Sequence, residues 1–85
     1  MSSEAMQRAL AVKRRHERAL MRKANVVAVG VGLRARAGSF TDEICIVVSV
    51  RRKVPAAQLA AADLIPATLD GVPVDVQATG EISAL

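Results

Sequence analysis

The chain has 85 residues, is 52% hydrophobic and carries a formal net charge of +4, with Phe40 as its one aromatic residue, one Cys and one His. That length gives one small domain, since a comfortable core takes on the order of 100 residues. The composition excludes base stacking on exposed rings, a multi-ligand Cys/His zinc site and an internal disulfide, and it leaves Val, Ile, Leu and Ala to build the core.

The charge is unevenly spread. Residues 1–23 hold seven basic side chains against Glu4 and Glu17, whereas from residue 24 five bases face six acids. The chain therefore reads as a basic helix over 1–24 attached to a nearly neutral αβ body over 25–85, one domain overall. No apolar run reaches the roughly 20 residues of a membrane span, and the first 23 residues lack the apolar stretch of a secretory signal. An unpaired Cys45 suits a reducing compartment. The expectation is a soluble cytoplasmic protein.

Ser2 or Ser3 caps the first helix and Glu4 favours its positive end, with no Gly or Pro before Asn25. The spacing predicts a helix over about 3–24. At about 100° per residue, Ala5, Met6, Ala9, Leu10, Val12, Ala19, Leu20 and Met21 share one half, while Arg8, Arg14, Arg15, Arg18 and Arg22 share the other. From Asn25 the period changes to two. Val27, Val29, Val31, Leu33 and Ala35 form one face of a strand, and Ala28, Gly30 and Gly32 lie on its shallow other face. After a connection over 38–42, Ile44, Ile46, Val48 and Val50 form the apolar face of a second strand. Only a hairpin pairing odd with even positions unites the two aliphatic faces. The predicted register sets Arg36 opposite Glu43, Leu33 opposite Ile46, Val31 opposite Val48 and Val29 opposite Val50.

Pro55 suits the first turn of a short helix reaching Ala62, and Asp70-Gly71 marks a turn. Val72, Val74, Val76 and Ala78 alternate with polar positions as a third strand, which Pro73 places at an edge or leaves unpaired on one side. The fold class is α+β in the order α-β-β-α-β, a three-stranded sheet with a long N-terminal amphipathic helix. The sheet face that the helix covers is left open by the pattern.

Several segments carry a resemblance: Gly30-Val31-Gly32, Thr41-Asp42-Glu43, Lys53-Val54-Pro55 and Asp70-Gly71-Val72-Pro73-Val74-Asp75-Val76. Together the residues from Asn25 to Glu81 resemble the small domain that precedes the catalytic domain in bacterial trypsin-like serine peptidases. The resemblance implies an accessory αβ module on its own, with no catalytic residue to carry over.

The chemistry-bearing residues read as structural. Gly30-Val31-Gly32 lies inside an aliphatic run rather than between a strand and a helix, so strand glycines admitting a close backbone are favoured over a phosphate loop. His16 has Val12, Lys13, Ala19 and Leu20 at helical spacing, none of them a nucleophile or an orienting acid. It reads as a histidine at the margin of the packing face, with a pH-sensitive oligomer contact as the alternative. Cys45 reads as a buried small hydrophobe. No pair of acids is forced into the apolar proximity that acid–base catalysis needs. The expectation is a non-enzyme without catalytic residues, metal or cofactor.

The arginines strain this plain reading. Arg14-Arg18 and Arg18-Arg22 are like-charge pairs at i,i+4, each costing roughly 0.2–0.5 kcal/mol, and only Glu4-Arg8 compensates in the favourable order. Arg8, Arg14, Arg15, Arg18 and Arg22 thus form a candidate face for an acidic protein surface or for nucleic acid, the latter without sequence preference. The favoured function is a self-associating interaction or structural module, a homo-oligomer or open assembly. It would use the helix through Met6, Leu10 and Leu20 and the sheet edge through Val72, Val74 and Val76. The alternatives are a nucleic-acid-binding adaptor and, from the resemblance alone, an accessory partner of a separate serine peptidase.

Overall fold

Ser3 Oγ accepts the Met6 N–H at 3.0 Å and caps an 18-residue helix, α1, Glu4–Met21. The structure, a computed structural model, describes residues 3–79. The helix ends before residue 24 because the Arg22 and Lys23 N–H groups turn back to the Ala19 and Leu20 carbonyls and Asn25 takes φ 74°. Asn at such a left-handed position is a common helix stop. Asn25 then binds the end of the second strand, its amide donating to the Arg52 carbonyl while its backbone carbonyl accepts from Arg51 at 2.9 Å.

Strands β1 (Val26–Arg36) and β2 (Ser39–Val50) form the expected antiparallel hairpin, with odd positions paired to even ones from Ala28 onward. The register is two residues off the prediction: Val29 faces Val48, Val31 faces Ile46 and Leu33 faces Ile44. The cause is a two-residue turn, which alone would shift the pairing by four, together with an irregularity between Leu33 and Ala35 that takes two back. Ala37 (φ 50°) and Gly38 (φ 80°) make the reversal, and Ser39 already pairs with Arg36, which suits the right-handed twist of a tight hairpin. A slip of two keeps every side chain on its face, but it moves the ion pair to Arg34 and Glu43, whose Nη1 and Oε1 are 3.0 Å apart.

The helix expected over 55–62 is two 3-10 turns, Ala56–Gln58 and Ala61–Asp63, separated by extended Leu59 and Ala60. Neither turn buries a residue, and a helix this short without a buried face is marginal. The sheet has four strands, not three. Strand β3 is Thr68–Leu69, and the Asp70-Gly71 turn (φ 49° and 81°) joins it to β4, Val72–Ala78. The strand order is β1-β2-β4-β3, with β4 parallel to β2 and antiparallel to β3. Pro73 therefore lies in an interior strand. Its missing N–H costs nothing there because the ladder with β2 begins one residue later, at Val74.

The helix covers the valine face, not the glycine face. Ala9, Val12 and Leu20 pack onto Ile46, Val48, Val50, Val72 and Val74, with Val29, Val31 and Ile44 around them. On the opposite face Cys45 is wholly buried. Burial first, and then the Asp75 charge, raise its thiol pKa, which keeps it protonated and apolar in behaviour. A Cβ at Gly32 would meet only the Val47 side chain, at 3.2 Å, and one at Gly30 meets nothing within 4 Å. No close backbone accounts for the strand glycines.

Candidate functional site

The arginine face of α1 divides into two groups. Arg8 and Arg15 are seven residues apart, so about two helical turns set them over the same β3–β4 turn. Arg8 Nη2 donates to the Asp70 carbonyl at 3.1 Å, Arg15 Nη1 meets Asp70 Oδ2 at 2.8 Å, and His16 Nε2 lies 3.0 Å from that same oxygen. Arg8 lies so close to the turn that a Cβ on Gly71 would sit 2.9 Å from its Nη2. The His16 hydrogen bond is the largest influence on the Asp70 carboxyl; burial opposes it, and with Arg15 added the pKa is held below its ordinary value. The cluster latches the helix to the sheet. Sequence spacing hides it, because Asp70 is 54 residues from His16.

Arg14, Arg18 and Arg22 are the second group. All three are exposed and, among the described residues, their side chains make no hydrogen bond or ion pair. The compensating pair on the helix is Lys13 with Glu17 at 3.1 Å, not Glu4 with Arg8, whose guanidinium is turned to Asp70.

The six apolar residues expected to mediate association fare unequally. Leu20 is 2% exposed, and Val72 and Val74 are 6% exposed, so these three are removed from the outer surface by the chain's own core. Met6 and Val76 are half-buried and Leu10 is 38% exposed. The free sheet edge lies elsewhere, because interior β4 leaves β1 and the two-residue β3 as the outer strands. Along the β1–β2 hairpin Val27, Leu33 and Phe40 are the exposed large apolar residues. Between two irregularities in register, Ala28–Leu33 runs regularly without a charge or a proline. Edge strands are commonly blunted by such residues, and this one carries them, Arg34 and Arg36, only at its C-terminal end.

A groove of about 300 Å³ opens at the other end of the fold, beneath the crossover from β2 to β4. Its apolar walls are Val50, Val54, Leu59, Leu64, Ile65 and Val76, and Arg52 and Lys53 stand in its lining. Asp63 also lines it, with Oδ1 accepting the Ala24 N–H at 3.0 Å. Among the described residues no group of three or more His, Cys, Asp or Glu gathers as a metal site, and no helix is long and apolar enough to cross a membrane.

These features define a class: a small α+β domain in which one long helix covers one face of a mixed four-stranded sheet. The chain belongs to the NARROW LEAF 1 N-terminal domain family, which matches residues 3–81 and so takes in α1 with all four strands. This corrects the resemblance to the accessory domain of bacterial trypsin-like serine peptidases. The segments that suggested it are generic strand and turn positions: Gly30-Val31-Gly32 lies within β1, and Asp70–Val76 is a tight turn with the strand it starts. The reading as a partner of a serine peptidase rested on that resemblance and has no other support in the sequence. No curated protein matches the chain.

Proposed function

We propose that the chain is a non-enzymatic self-associating module, and that a second copy pairs antiparallel along the β1 edge. The observation that carries this reading is the uncharged segment Ala28–Leu33 on a long outer strand. Strand addition at such an edge supplies main-chain hydrogen bonds at once. The opposite edge, β3, has two residues and offers little to a further copy. Pairing through β1 alone closes as a two-fold dimer with a self-complementary interface, rather than an open assembly.

Light scattering at micromolar concentration is expected to give about twice the 9.0 kDa chain mass. Gly30→Lys is expected to give monomers without loss of melting temperature. A Cβ there meets nothing within 4 Å, and strand glycines themselves cost roughly 0.5–1 kcal/mol, whereas two like charges across the dimer axis repel. A wild-type mass of 9.0 kDa would overturn the reading.

A second reading is favoured by the row of unpartnered Arg14, Arg18 and Arg22: docking of an anionic surface, with duplex nucleic acid as the probe. Three phosphate contacts correspond to a slope of about −2.7 in log K against log salt. Changing all three to Gln is expected to remove that slope. An absence of duplex binding at low salt excludes nucleic acid and leaves an acidic protein surface.

A further inference from the structure

We propose that the groove beneath the β2–β4 crossover binds a small amphipathic carboxylate, with its tail against Val50, Ile65 and Val76 and its head at Arg52 and Lys53. The walls are aliphatic, and the volume of about 300 Å³ stands at the lower end of the roughly 300–1,000 Å³ of small-ligand pockets. That is room for a chain of about eight carbons with its carboxylate. A concave apolar site with a few convergent polar groups is the usual form of a small-ligand pocket.

The charge at this end of the fold decides the sign of the head group. Arg51, Arg52 and Lys53 are consecutive and exposed, and among the described residues their side chains make no ion pair. Asp63, the one acid in the lining, has an oxygen committed to the Ala24 N–H, and the nearby Lys23 ammonium donates to the Ala62 carbonyl at 2.7 Å. Two cations therefore remain for an incoming anion. The roof favours occupancy as well. Its two 3-10 turns bury no residue, Leu59 and Ile65 are only half-buried, and Leu64 is 41% exposed. A tail beneath them would remove apolar surface from water that the chain itself leaves wet.

The test is an NMR titration of the full chain with sodium octanoate, with 1-octanol and sodium acetate as controls at constant ionic strength. Saturable shifts are expected at Val50, Val54, Ile65 and Val76. Octanol is expected to bind about tenfold more weakly than octanoate, and acetate to leave these resonances unmoved. The Arg52→Gln/Lys53→Gln double variant changes exposed side chains only, since Asn25 holds the Arg52 backbone. It is expected to melt like the wild type and to bind octanoate about tenfold more weakly. The proposal is overturned if octanoate moves nothing in the groove, or if octanol or the double variant matches wild-type octanoate binding. It is also overturned if the groove resonances shift with protein concentration alone, which would make the groove a contact between copies.

Discussion

Leu20→Ala is expected to remove about 2–5 kcal/mol of folding stability, the usual range for a large-to-small change that leaves a cavity. For 85 residues the total stability is roughly 4–13 kcal/mol at 0.05–0.15 kcal/mol per residue, so the variant stands near the edge of folding. Leu20 is 2% exposed and packs with Ile46, Val48 and Val50, holding the C-terminal end of α1 onto the sheet. The stretch from Arg8 to His16 is held by the Asp70 latch together with the packing of Ala9 and Val12. Chemical denaturation is the measurement, with mass in solution alongside it. A residue that served association would show the reverse pattern, a fall in mass with the folding of each chain preserved.

Asp75→Ala is expected to cost about 1–3 kcal/mol, the penalty for leaving a partly buried donor without its acceptor. Asp75 Oδ2 accepts the Ala35 N–H at 2.9 Å and the Gln77 amide at 2.9 Å, tying the bulged end of β1 to β4 across the face that hides Cys45. Asp75→Asn keeps an acceptor and is expected to cost less. The charge has its own signature in pH. Burial pushes the Asp75 pKa up, but the Ala35 N–H, the Gln77 amide and the Arg34 and Lys53 charges outweigh it, and the carboxyl lies below its ordinary 3.8. Asp70 is shifted the same way. A depressed folded-state pKa contributes stability that is present above the unfolded value and lost as pH falls through the folded one. The difference in melting temperature between wild type and Asp75→Asn should therefore hold near neutrality and close as the solution is acidified below 3.8. A difference that widens on acidification would refute this account.

What the sequence made legible was periodicity, and what it concealed was contact between distant residues. Ser3 with the following run announced α1, and the alternation from Val26 onward announced both hairpin strands and their faces. The register was not legible, because Ala37 is an unusual residue for the first position of a turn with positive φ. Strand β3 is two residues long, too short for any period to register. Pro73 suggested an edge, but its position one residue ahead of the β2–β4 ladder satisfies the same constraint in an interior strand. Among the candidate site residues, helical spacing placed the arginines on the outer half of α1. It gave no sign that Arg8 and Arg15 turn toward Asp70 while Arg14, Arg18 and Arg22 remain unpartnered. The free edge of β1 was equally hidden, since strand order follows from a crossover that local pattern does not encode.

That crossover also sets an order of events in folding. The β1–β2 hairpin closes through a turn of two residues, on the microsecond scale of isolated hairpins. The parallel pairing of β2 with β4 waits on bringing together the ends of residues 51–71. Closing that stretch costs on the order of 2.7 kcal/mol by (3/2)RT ln n before any contact repays it. Because α1 packs on Val72 and Val74 as well as on the hairpin, it has no complete seat until the crossover closes. The rate of folding is thereby tied to one non-local step, and the helix and the last two strands gain their native contacts together.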